Sequence, residues 1–280
     1  MSSLAPSDIC LRIVPVSCLQ LHEEDDPYRV KRLMQAVQRD GKLKNPIIVA
    51  RQAQTEEAYV VLDGATRTTA LQEMGVPYAL VQIVDYASSR VKLEVWHHII
   101  VGLPELRLLG NLGEIAHLHV MRLDEAHSQG KLSRRELLAR LMLRNGQMFA
   151  ITSEGNIHVQ AERLCELVAL YRGKAEVHRI ASVELPDLLD DYPDLTAVVS
   201  FPPFTPAEIM QIAANGKKVP MGITRHLIAG RVLGMGAPLE VLTRPDSLQE
   251  KNAWLEQQIR MRLHANKIRL YQEPVFVFDD

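Results

Sequence analysis

The chain has 280 residues, 47% of them hydrophobic, which is enough to bury one or two cores. Its 32 Lys and Arg stand against 34 Asp and Glu, a formal net charge of −2, so it has no overall basic footprint for nucleic acid, and only a local patch stays open. Cys10, Cys18 and Cys165 are widely spaced with no CxxC pair, which argues against a disulfide framework or a cysteine-rich zinc site.

The N-terminus has no basic-then-apolar signal pattern and no apolar run approaches a membrane span, so the expected location is the cytoplasm and no membrane partner is expected. Leu11 to Pro15 alternates like a short strand. Asp26 then reads as an N-cap, with Pro27 at the first helical position, Val30, Leu33, Met34 and Val37 on one face, and Gly41 as the stop. Glu23, Glu24 and Asp25 before it read as a complement to the helix dipole, less well for Glu23, which lies further out beside His22.

Asn45 to Ala50 and Ala58 to Leu62 read as two strands around a polar turn from Arg51 to Glu57. A turn at Asp63-Gly64 leads into a helix that ends near Gly75, and Tyr78 to Val84 is another strand. Val91 to Val101 reads as one strand, and Gly102 to Gly110 as a connector. Beyond it, Leu137 to Leu143 reads as helical, Met148 to Ile157 as a hairpin, Glu162 to Tyr171 as a helix, and Glu176 to Ile180 and Ala197 to Phe201 as strands. Thr205, Pro206 and Glu208 spell a capped helix start. A basic two-glycine loop, Gly216 to Gly222, runs into Ile223 to Ile228. The chain then reads as a helix from Leu248 to Leu263 and an edge strand over Pro274 to Phe278. The pattern predicts an α/β (α+β) protein of two parts, residues 1–102 and 103–280.

Two stretches suit an anion. At Asp63-Gly64-Ala65-Thr66-Arg67-Thr68 a strand, a glycine and a helix start follow one another, so free backbone N–H groups and the positive end of a helix dipole converge. The same residues are also compatible with an ordinary turn and threonine caps. The loop from Gly216 to His226 places Lys217, Lys218, Thr224, Arg225 and His226 near glycines, although on sequence alone a solvated basic turn is the favoured reading. Glu23 beside His22 is a candidate general base, or a surface glutamate. His97 and His98 adjoin Trp96, but neighbours in a strand point to opposite faces, so the pair does not suit one metal ion and no residue is assigned as a metal ligand. Trp96 or His97 is compatible with a pocket wall as well as with a core. P-loop, Rossmann, serine-hydrolase and haem-attachment motifs are all missing.

Leu21-His22-Glu23 before an amphipathic helix, Leu43 to Val49, and Leu62 to Thr68 together resemble the ParB/sulfiredoxin-like nucleotide-binding fold. Within it they are most similar to the free L-serine kinases of the SerK and SbnI type. Trp96-His97-His98, Phe201 to Phe204, and Gly222 to His226 fit that subgroup. The resemblance implies phosphoryl transfer from ATP or ADP, with Mg²⁺, to the hydroxyl of free L-serine, giving O-phospho-L-serine for cysteine or siderophore synthesis. It implies Glu23 as the catalytic carboxylate, Asp63, Gly64, Ala65, Thr66, Arg67 and Thr68 as the nucleotide-phosphate loop, and Asn45, Trp96, His97, Thr224, Arg225 and His226 as parts of the substrate pocket. It also implies Arg225 as the group that holds the serine carboxylate or the product phosphate.

The loop departs from the commoner DGHHR pattern of that family, with Ala65-Thr66 where two histidines are usual, so a hydroxyl replaces a histidine donor. It lacks the reactive cysteine of sulfiredoxins. A ParB-like DNA-binding or ligand-sensing regulator is the alternative reading; the near-neutral charge and the lack of a convincing helix-turn-helix count against it, and DNA is not favoured as a partner.

Overall fold

The structure is a computed structural model that describes residues 9–52, 57–123, 137–181, 183 and 185–270, with backbone alone at 185–187. In chain order the first strands are β1 (Leu11–Pro15) and β2 (Leu19–Leu21), followed by α1 (Pro27–Asp40), β3 (Lys42–Leu43), β4 (Ile47–Arg51) and β5 (Tyr59–Asp63). Next come α2 (Ala65–Glu73), β6 (Tyr78–Val84), β7 (Val91–Val95), β8 (His97–Val101), α3 (Glu105–Gly113) and β9 (His119–Leu123). The middle of the chain forms β10 (Leu137–Leu143), β11 (Met148–Thr152), α4 (Ile157–Ala169), β12 (Glu176–Ile180), α5 (Leu185–Asp191) and β13 (Leu195–Ser200). Finally α6 (Pro206–Ala214), β14 (Thr224–Ile228), β15 (Ala237–Pro238), α7 (Leu239–Thr243) and α8 (Leu248–His264) complete the described chain.

One sheet, ordered β1-β6-β4-β5-β2, mixes parallel and antiparallel pairs and carries α1 and α2. A second, ordered β12-β8-β13-β10-β11-β9, is antiparallel throughout and packs against α3, α4 and α6 through Leu108, Leu112, Leu164, Leu167 and Ile212. The mixed α/β class expected from the sequence is the one found. The first core also takes in late residues: Met235, Ala237, Val241, Leu242 and Leu255 pack with Ile13, Leu80 and Val81. Asn252 lies along β1, where its Oδ1 accepts from Ile13 N at 2.9 Å and its Nδ2 donates to Ile13 O at 2.9 Å. An amide side chain thus occupies the hydrogen-bonding position of a further strand at the sheet edge. Beside it, Lys251 is fully buried and its Nζ donates to Val241 O at 2.7 Å and Arg244 O at 2.8 Å, so the ammonium satisfies carbonyls at the end of α7.

Local start and stop signals hold. Asp26 accepts from the N–H groups of Tyr28 and Arg29, Gly41 adopts φ 63°, and Thr205 with Glu208 closes a reciprocal capping box. Four expectations need correction. Leu137–Leu143 is a strand, not a helix: β10 lies inside its sheet with Ala139, Leu141 and Leu143 buried on one face, and with Met142 apolar on the other only Arg140 marks the alternation. β11 makes its hairpin with β10 and ends at Thr152, short of Ile157. The connector after Gly102 contains α3, held by Leu108 and Leu112. Val91 to Val101 is two strands broken at Trp96: β7 pairs with β14, whereas β8 joins the second sheet. The expected edge strand at 274–278 and most of the polar turn at 53–56 lie outside the described residues.

Candidate active site

A cavity of about 780 Å³ lies between the N-terminus of α2, the segment before α1, and the stretch from Met221 to Leu227. Its floor is the β5–α2 junction. Gly64 adopts φ 109°, a backbone that favours glycine, and a Cβ there would stand 3.0 Å from Arg67 Nε. No side chain caps α2. Its first intrahelical bond runs from Thr68 N to Gly64 O, so the N–H groups of Ala65, Thr66 and Arg67 precede that ladder and open toward the cavity. Arg67 is clamped rather than free. It donates to Asp63 Oδ2 at 3.0 Å, to Asn45 O at 3.4 Å and to Pro46 O. Asp63 also takes Arg231, so two guanidiniums share one carboxylate and the cluster keeps one net positive charge. Burial pushes the Asp63 carboxyl up, but Arg67 and Arg231 together outweigh it and hold it below the usual carboxylate range.

Before α1 the acidic cluster divides its tasks. Asp26 caps α1, Asp25 faces Lys218 at 3.8 Å, and Glu24 pairs with Arg172 at 3.0 Å. Glu23 turns away from the helix into the cavity. Its Oε1 accepts from Gly222 N at 2.8 Å, Thr224 N at 3.4 Å and Thr224 Oγ1 at 3.0 Å. The reading of Glu23 as a mere dipole complement is therefore replaced. Backbone bonds from Glu24 N to Val219 O and from Val219 N to His22 O, 2.9 and 2.8 Å, lace this segment to the basic loop. That loop is neutralised at Lys217 by Glu162 as well.

Gly222 is held on three sides. It donates to Glu23, it accepts from His98 Nε2 at 3.2 Å, and at φ 79° its bare face meets Arg179, whose Cζ would lie 2.1 Å from any added Cβ. His98 Nδ1 accepts from the buried Tyr171 hydroxyl at 2.8 Å, and burial holds the imidazole down to about 4. Trp96, half-buried at the strand break, lines the cavity with the Arg225 guanidinium over its ring at 4.4 Å, and Arg225 pairs with Glu94 at 3.1 Å. His226 is buried, receives the Tyr86 hydroxyl at 2.7 Å and meets His22 edge-on with ring centroids 5.4 Å apart; burial, with His22 adding to it, depresses it to about 3.

The structure therefore brings Glu23, Asn45, Asp63, Gly64, Ala65, Thr66, Arg67, Trp96, Thr224, Arg225 and His226 to one cavity. Asn45 is partly committed, since its Oδ1 accepts from Gly234 N at 2.8 Å. Thr68 is buried behind the loop with its hydroxyl on Gly64 O at 3.1 Å, and His97 turns away and accepts from Phe201 N at 3.2 Å. Sequence reasoning missed Arg179 and Arg231, both cavity-lining; Arg179 is far in sequence from the motifs, Arg231 follows His226 by five residues, and no local pattern marks either.

No family model matches the chain. The ATP-dependent L-serine kinase SbnI of Staphylococcus aureus is 26% identical over 276 residues, covering 96% of this chain and 97% of that protein. An ATP-dependent L-serine kinase of Staphylothermus marinus is 36% identical over 90 residues, about a third of each chain (32% and 35%). Among solved structures, C-terminally truncated SbnI from Staphylococcus aureus superposes with a TM-score of 0.72 at 23% identity, covering 90% of this chain and 97% of that one. A free serine kinase in complex with AMP gives a TM-score of 0.69 at 21% identity, covering 83% and 93%. In sequence along nearly its whole length, and in fold, this chain is thus similar to the ATP-dependent L-serine kinases, as the motif resemblance anticipated.

Proposed function

We propose that this protein is a nucleotide-dependent phosphotransferase that phosphorylates the hydroxyl of free L-serine to give O-phospho-L-serine. One observation carries the reading. The Glu23 carboxylate and the uncapped N-terminus of α2 line the same cavity. Phosphoryl transfer asks chiefly for positioning and for stabilisation of phosphate charge. The Gly64–Arg67 turn, with the net positive Arg67–Asp63–Arg231 cluster behind it, suits the phosphates of ATP or ADP. Glu23 Oε1 is anchored by three donors, which fixes the carboxylate as an acceptor for the serine proton. Trp96 with Arg225 over it, and Thr224, form the acceptor side. In this reading residues 1–102 hold the nucleotide and 103–280 supply most of the acceptor side, with residues 235–255 returning to pack on the first core.

Among the described residues no group of three or more His, Cys, Asp or Glu forms a metal cage, and Asp63 is engaged by two guanidiniums. That donor set fits Mg²⁺ arriving with the nucleotide, held chiefly by phosphate oxygens and water, where it would offset phosphate charge.

Incubation with L-serine, Mg²⁺ and either ATP or ADP tests the reading. Phosphoserine should form with at least one donor, and its absence with both overturns the assignment. Glu23→Gln should lower turnover at least about a hundredfold, the scale of a lost general base.

A further inference from the structure

An amino-acid acceptor carries a carboxylate two carbons from its hydroxyl, so a cation is needed close to the base. Three of the six cavity arginines are already engaged, and Arg29 and Arg32 on α1 have no ion pair among the described residues. Arg67 and Arg231 share Asp63, and Arg225 is paired with Glu94 and stacked on Trp96. The Arg225 assignment implied by family resemblance therefore meets a guanidinium whose charge is met elsewhere. Arg179, on β12, is unpaired like Arg29 and Arg32, but it alone of the three lies against the residue that holds Glu23. It lines the cavity, is exposed to solvent there, and has no carboxylate within ion-pair distance among the described residues. Its guanidinium lies against the bare face of Gly222, the residue whose N–H holds Glu23 Oε1 at 2.8 Å. Glu23 supplies the attraction that offsets part of its desolvation, while Arg29 and Arg172 add positive field. An unpaired planar fork beside the candidate base is suited to a carboxylate.

We infer that Arg179 binds the carboxylate of the acceptor and so selects a free amino acid over a simple amino alcohol. The inference rests on the kinase reading above. The donor phosphates have their own positive cluster, Arg67–Asp63–Arg231, at α2, whereas Arg179 sits at Gly222 beside the candidate base. Gly222 is the device that makes this possible, since any side chain there would displace the guanidinium.

The test compares L-serine with ethanolamine, which keeps the hydroxyl and amine but lacks the carboxylate. Wild-type protein should prefer serine. Arg179→Ala should raise the KM for serine about ten- to a hundredfold, the range of a lost hydrogen bond to a charged group, and collapse the serine-to-ethanolamine preference by a similar factor. The KM for the nucleotide should stay within about twofold. Arg179→Lys should recover only part of the preference, because a point charge replaces a fork. The side chain is exposed and unpaired, so both variants should fold, and circular dichroism checks this. An unchanged preference, or a rise confined to the nucleotide KM, overturns the inference. Failure of wild-type protein to phosphorylate serine at all overturns the kinase reading instead, so the two failures are distinguishable.

Discussion

His22 and Thr224 are joined through Nε2 and Oγ1 at 3.0 Å, and the same hydroxyl stands 3.0 Å from Glu23 Oε1. The other ring nitrogen of His22 lies 2.6 Å from Val61 O, a carbonyl that can only accept, so Nδ1 carries a hydrogen. Burial lowers the pKa of His22 and favours the neutral ring, whose Nε2 is then an acceptor. One hydroxyl hydrogen therefore faces two acceptors. Thr224→Val removes it from both and leaves a buried ring nitrogen unpaired. We expect kcat/KM for serine to fall about tenfold, the scale of one hydrogen bond to a charged group. Thr224→Ser should stay near wild type, and steady-state kinetics on the two variants decides it.

Arg231 should matter to the nucleotide and not to the acceptor. Removing it leaves Asp63 and Arg67 as a neutral pair, so the wall at α2 loses its net positive charge. Arg231→Ala is expected to raise the nucleotide KM about three- to tenfold, as for loss of one partly exposed charge near a phosphate. The effect should weaken at high salt, because Arg231 is partly exposed. A nucleotide titration at two ionic strengths measures both.

Stability should decline on mild acidification. His98 and His226 are held at about 4 and about 3 in the folded protein, chiefly by burial, against an ordinary value of 6.5. The unfolded chain therefore binds more protons between those limits, and the folded state loses ground as pH falls. The contribution is complete above about pH 6.5 and erodes through pH 4. Thermal melts across that window should show a falling Tm, and His98→Gln should flatten the slope.

Local chemistry made much of this molecule legible. Asp26-Pro27, Thr205-Pro206 and the Asp63-Gly64 turn act through neighbours in sequence, and each formed where its residues indicated. β10 resembles a helix in sequence because Arg140 is its one polar residue, too little to show a period of two. The break at Trp96 follows from pairing with two different sheets, information held by β14 and β13 rather than by residues 91–101. The site divided similarly. Glu23 and the glycine turn were visible as motifs, whereas Arg179 and Arg231 reach the cavity only through tertiary packing. Thr68 and His97 belong to the right stretches but face away, one bonded to Gly64 and the other to Phe201.

The contact between Asn252 and Ile13 bears on synthesis. The first sheet is translated within about a third of the chain, yet Leu255 and Asn252 are needed to cover and pair its β1 edge. A nascent chain that has emerged only to β6 would display β1 as an open, apolar edge, the kind of surface that recruits other strands. Completion of the first core is thereby postponed until residues 252–255 have been made. A messenger broken before codon 248 would yield a product with that edge bare, a natural substrate for chaperones and proteases.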